Sequence, residues 1–125
     1  MNSDKFSAKS RFGSFKFAFT GLSSLLKIEH NARIHLLAAL IVIILGIVLN
    51  ISLTEWCLII IVIGLVFLAE LFNTALEALS DIVDPEWNEK IMKVKDYAAA
   101  AVLVSTIVSV VVGGLIFIPK LLKLF

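Results

Sequence analysis

Ala69-Glu70-Leu71-Phe72-Asn73-Thr74-Ala75-Leu76-Glu77-Ala78-Leu79-Ser80-Asp81 runs inside, and then out of, an apolar stretch that otherwise reads as a membrane span. On a helix turning about 100° per residue, Glu70, Asn73, Glu77 and Asp81 return to one stripe. A carboxylate at the centre of the hydrocarbon costs roughly 2.5–3.5 kcal/mol on insertion scales, so several on one face mark a protein-lined or water-lined site. At a rise of about 1.5 Å per residue, Glu70 lies roughly 16 Å from Asp81 along the axis and is the member nearest the hydrocarbon. The stripe therefore gives both the fold class, a membrane helix, and the place to look for function.

Outward from that stripe, the rest of the chain agrees. Of 125 residues 60% are hydrophobic, and the mean hydropathy of +1.03 is that of a membrane protein rather than a soluble domain. A single domain over 1–125 is expected. Residues 34–54 carry no charge and form a first span, since roughly 20 apolar residues cross a bilayer. Asn50-Ile51-Ser52-Leu53-Thr54-Glu55 reads as a short turn, Trp56 as an interfacial aromatic, and 56–79 as the second span. The third covers 97–119, opening on Ala98-Ala99-Ala100-Ala101, a small-residue surface suited to close helix packing. Gly113-Gly114 reads as serving packing too. Between the last two spans, Asp84-Pro85 is expected to end one helix and start a short new one, with Asp84 as its N-cap.

Ahead of the first span, Lys5, Lys9, Arg11, Lys16, Lys27 and Arg33 face only Asp4 and Glu29. Phe12, Phe15, Phe19, Leu22 and Leu26 recur at steps of three and four, beside a polar stripe of Lys16, Thr20, Ser23 and Lys27. Residues 1–33 thus read as an N-terminal amphipathic segment, either lying in the membrane interface or packed on its own bundle. The positive-inside rule places this segment, and with it the Asp81–Lys95 connection, in the cytoplasm. The first apolar run reads as a retained span of a multi-pass inner-membrane protein and not as a cleaved leader. Cys57 is the single cysteine and reads as a small apolar residue. A net charge of +1 points to no nucleic-acid partner.

Several polar groups share the cytoplasmic boundary: Glu29 and Arg33 before the first span, the acidic stripe in the second, and Lys95 and Asp96 before the third. Mg²⁺ takes oxygen ligands, usually one or two carboxylates plus substrate phosphates, which Glu29 and Glu77 could supply. Lys95 could neutralise a phosphate, and the deeper Glu70 could take the proton of a hydroxyl held at the interface. His30 and His35 stand near the same boundary without a second histidine at ligand spacing. The alternatives are a structural network that fastens helices together, or a stripe lining an ion pore. Neither a Walker-type glycine-rich loop nor a kinase catalytic loop is present in the sequence.

The Glu70–Asp81 segment resembles the signature of the small integral-membrane lipid kinases, the prokaryotic diacylglycerol kinase and undecaprenol kinase family. Lys95-Asp96 with the small residues after it, and Glu29-His30-Asn31-Ala32-Arg33 before the first span, resemble the family's other motifs. The resemblance implies an all-α membrane fold: three spans and an N-terminal surface helix in a domain-swapped homotrimer whose subunits share active sites. It implies ATP as co-substrate, Mg²⁺ as cofactor and a lipid alcohol as acceptor. Glu70 would be the catalytic base and Asn73 a positioning amide, with Glu29 and Glu77 toward metal and nucleotide. Lys95, Asp96, Glu86, Trp87 and Asn88 would contact ATP, the last two standing where the family often has Tyr and His. Arg11 and Phe17 fall where the N-terminal helix reaches the nucleotide, and Arg33 falls with Glu70 toward the lipid. Arg33-Ile34-His35-Leu36, Leu53-Thr54-Glu55-Trp56 and Ile118-Pro119-Lys120 resemble the undecaprenol branch more than the diacylglycerol branch.

Overall fold

A computed structural model describes residues 7–86 and 88–125. Among them the chain is all helical: α1 (Ala8–Ile28), α2 (His30–Val48), α3 (Leu53–Val83) and α4 (Glu89–Leu122). Three of these, α2, α3 and α4, are long and apolar enough to cross a membrane. At about 1.5 Å per residue α3 runs roughly 46 Å, against a hydrocarbon core about 30 Å thick. Its last turns, which carry Glu77 and Asp81, therefore extend past the apolar layer.

Each helix boundary has a local cause. α1 and α2 meet at Glu29, a single extended residue (φ −93°, ψ 114°) that closes one helix and opens the next. α2 ends as Asn50 takes φ 51°, so that Asn50 N–H donates to Ile47 O at 3.2 Å and Ile51 N–H to Gly46 O at 3.1 Å. That pair of bonds is a Schellman ending, and asparagine is one of the few residues besides glycine that takes the left-handed conformation readily. α3 starts in a capping box: Ser52 Oγ accepts from Glu55 N–H at 3.2 Å, and Glu55 Oε2 accepts from Ser52 N–H at 2.8 Å.

Both hairpins are antiparallel. Along α3 and α4, Lys95 pairs with Asp81, Ser109 Oγ donates to Val62 O, and Lys120 pairs with Glu55. The numbers rise on one helix as they fall on the other. The best-packed apolar cluster, Ile51, Ile59, Ile116 and Phe117 with Trp56 against it, lies at the end opposite the acidic groups. There the absent side chain of Gly46 is what admits the Trp56 ring. Elsewhere most large apolar side chains of α2–α4 point outward, as expected of helices surrounded by hydrocarbon.

Two expectations change. Asp84 is not the N-cap of a short helix: it closes α3, and its Oδ1 accepts from Glu86 N–H at 3.2 Å. The new helix starts later, where Asn88 Oδ1 accepts from Lys90 N–H at 2.9 Å, and continues unbroken into the third span. Gly113 is not required by a close approach, since a Cβ there would meet no atom within 4 Å; it lines a cavity. Phe12, Phe15 and Phe19 of α1 are 75%, 64% and 68% exposed, and α1 buries only Leu25.

Candidate active site

Glu70 is the centre. It is 2% exposed, among the most deeply buried side chains of the chain. About 25 Å along α3 from Leu53, it sits near the far boundary of the apolar layer. Its neighbour is on α2: His35 Nε2 stands 3.2 Å from Glu70 Oε1. The approach is close but off the N–H direction, so among the described residues that oxygen has no aligned donor. Asn73 Oδ1 and Thr74 Oγ1, the next turn along, are likewise buried without a partner. Buried polar groups are normally paired. Three orphans on adjacent turns gather unmet polar groups at one place on α3.

A second polar region lies farther along α3. Lys95 Nζ donates to Asp81 Oδ1 at 2.7 Å. Lys95 lies in the charged first two turns of α4, ahead of its apolar run, and its pKa is raised, chiefly by that hydrogen bond against opposing desolvation, with the charges of Asp81 and Glu77 adding. The ammonium is thus held cationic with acceptors on one side. Asp81, Asp84, Glu86, Asn88 and Lys95 line a cleft of about 260 Å³ between the end of α3 and the start of α4. Asn88 uses its side-chain oxygen as a cap, which leaves its amide NH₂ free to donate. Asp96 is exposed beside Lys95, and Glu77 is half-buried between the deep carboxylate and the cleft.

The other expected residues are placed but not all gathered. Glu29 is half-buried at the α1–α2 junction, and its carboxylate makes no capping bond. Arg33, Arg11 and Phe17 are exposed. Trp87 lies outside the described residues. Among those described, no three His, Cys, Asp or Glu side chains come together as a self-contained metal site. The sequence reading missed His35 as a partner of Glu70, and missed Thr74 altogether. Depth would have found the first: His35 lies about 20 Å before the α2–α3 turn and Glu70 about 25 Å after it.

A buried carboxylate with an unpaired oxygen, on the same helix as a cation-bearing polar cleft, suits proton removal beside anion binding. Residues 16–117 match the prokaryotic diacylglycerol kinase family. The chain belongs to that family. It is 38% identical over 110 residues to the undecaprenol kinase of Bacillus subtilis, a match covering 88% of this chain and 89% of that protein. To the diacylglycerol kinase of Synechocystis sp. it is 36% identical over 112 residues, covering 89% of this chain and 64% of that protein. As a family member it is a membrane-embedded lipid kinase.

Proposed function

We propose that the chain phosphorylates undecaprenol, transferring the γ-phosphate of ATP to the terminal hydroxyl. The observation that supports this is Glu70: a carboxylate on a membrane-length helix that is buried and unpaired at Oε1. Its carboxylate takes the hydroxyl proton as the alcohol oxygen bonds to the γ-phosphorus. The bond from that phosphorus to the bridging oxygen breaks, and ADP leaves with the electron pair. Asn73, one turn away with its carbonyl oxygen unpaired, positions the acceptor.

Lys95 offsets phosphate charge, and Asp96, Glu86, Trp87 and Asn88 border the nucleotide. The side chains of Glu29 and Glu77 offer oxygen donors only, and Mg²⁺ needs no more than one or two carboxylates beside phosphate oxygens. The residues therefore fit the ion, and Glu29 and Glu77 would hold it. Bound Mg²⁺ supplies charge neutralisation on the phosphates. Arg11 and Phe17 are exposed on α1, and Arg33 is exposed at the start of α2. This suits a homotrimer in which α1 of one subunit completes the site of another. Exposed Phe12, Phe15 and Phe19 suit α1 for the cytoplasmic face of the inner membrane.

Undecaprenol is favoured by the Arg33-Ile34-His35-Leu36 segment and by the Bacillus relative's name. Diacylglycerol is the second reading, supported by the Synechocystis relative. Phosphate transfer from labelled ATP in mixed micelles, with each lipid offered separately and Glu70→Gln as the blank, separates them. We expect labelled undecaprenyl phosphate. Labelling of diacylglycerol alone would transfer the reading to glycerolipids, and labelling of neither by folded protein would end it.

A further inference from the structure

His35 occupies the second turn of α2, with its ring 20% exposed and its Nε2 3.2 Å from Glu70 Oε1. One wall of its surroundings is apolar: with Ala38, Ala39, Val66 and Gly113 it lines a cavity of about 100 Å³ between α2, α3 and α4. The polar group across that cavity is Ser109, whose hydroxyl is already committed to Ser105 O at 2.8 Å and Val62 O at 3.2 Å. Glu70 is the partner that Nε2 approaches, at 3.2 Å. The carboxylate, for its part, has no aligned donor at Oε1. A small rotation of the ring would aim the Nε2–H along the existing contact, and such bonds commonly tighten only when substrate is bound.

We infer that His35 is a positioning residue for Glu70: its Nε2–H holds Oε1 so that the other carboxylate oxygen faces the lipid hydroxyl. A carboxylate on a flexible side chain samples several rotamers. A fixed donor from a second helix selects one, as a hydrogen-bond partner behind a metal-binding histidine fixes its ring. The inference rests on the lipid kinase reading with Glu70 as base, and it adds α2 to the elements that fix the reacting group.

The experiment compares the full chain with His35→Leu and His35→Gln in mixed micelles. Glutamine can carry its amide N–H to the same place, and leucine cannot. Misplacing a reacting group by about 1 Å costs on the order of 100-fold, so His35→Leu is expected to lower kcat about that much. KM for ATP should stay near its wild-type value, and His35→Gln should recover most of the loss. A second readout needs no turnover. The chain has two histidines, so ¹⁵N-imidazole spectra resolve His35 from exposed His30, and Glu70→Gln should move the Nε2 resonance of His35 alone. Wild-type kcat in His35→Leu, a glutamine variant no better than leucine, or an unmoved resonance would each overturn the inference. If the resonance moves but wild-type protein phosphorylates no lipid alcohol, the kinase reading fails and the pairing stands.

Discussion

Replacing Glu70 with an apolar side chain should make the protein more stable and less active at once. The carboxylate is 2% exposed, its Oε1 has no aligned donor, and its nearest cationic candidate, His35, is itself charged only when protonated. Leaving a buried polar atom unsatisfied costs about 1–3 kcal/mol, and replacing a buried charge with an apolar group of similar volume is often stabilising by about 1–4 kcal/mol. Glu70→Met is therefore expected to raise unfolding stability by about 1–3 kcal/mol, a gain that Glu70→Gln, which keeps a buried polar head, should not share. Turnover in Glu70→Gln should fall by about 10²–10⁴-fold, the range assigned to a lost general base. A structural network predicts the opposite sign, because removing one partner of a satisfied buried pair costs about 3–5 kcal/mol. Denaturant titration in mixed micelles reads the stability, and phosphate transfer in the same micelles reads the activity. A variant that is less stable yet turns over at the wild-type rate would refute the reasoning.

Two further perturbations test the frame. In Gly46→Ala the new Cβ would lie 2.6 Å from Trp56 Cη2 and 2.9 Å from Cζ2; overpacking of this kind costs about 1–3 kcal/mol, and micelle denaturation should show that loss. For Lys95 the raised pKa fixes the sign: the Asp81 pairing stabilises fully below the usual lysine value of about 10.4 and is lost as pH rises through the elevated one. Alkaline unfolding should accordingly be steeper in wild type than in Asp81→Asn, and equal pH profiles would remove Asp81 as the cause.

What the sequence disclosed depended on whether a feature belonged to one helix or to two. Hydropathy alone located the three long helices, and periodicity alone aligned Glu70, Asn73, Glu77 and Asp81, because both are properties of a single helix. Local chemistry decided most boundaries: Asn50 at the α2 ending and Ser52 with Glu55 at the α3 start act within a few residues. Asp84-Pro85 misled because two capping residues compete within one short connection, and Asn88 wins by bonding the backbone of Lys90. The mixed segment from Glu89 to Lys95 then continues the helix, since helicity does not require an apolar run. His35 and Glu70 could not be paired by periodicity, because their meeting depends on the register of α2 against α3. That register is set by the Schellman turn and by Trp56 seated on Gly46, at the far end of the hairpin.

The same register explains why the proposed site has two depths. Undecaprenol presents its hydroxyl at the base of an apolar tail, whereas ATP stays in water, so the acceptor and donor approach from opposite sides of the interface. A helix roughly 16 Å longer than the hydrocarbon layer can carry a group for each. Glu70 lies on the part of α3 that α2 covers, where burial keeps water from its oxygens. Asp81 lies on the overhang, where Lys95 of α4 can reach it in a polar cleft. Glu77 and Asn73 fall between them on the same stripe, so a phosphate passing from nucleotide to lipid would cross no apolar side chain on that face. Shortening α3 by one turn between Ile59 and Glu70 would keep four helices and the Glu70–Asp81 stripe, yet bring the carboxylate about 5 Å out of register with His35. Activity should then vanish even though composition, hydropathy and motif content are nearly unchanged.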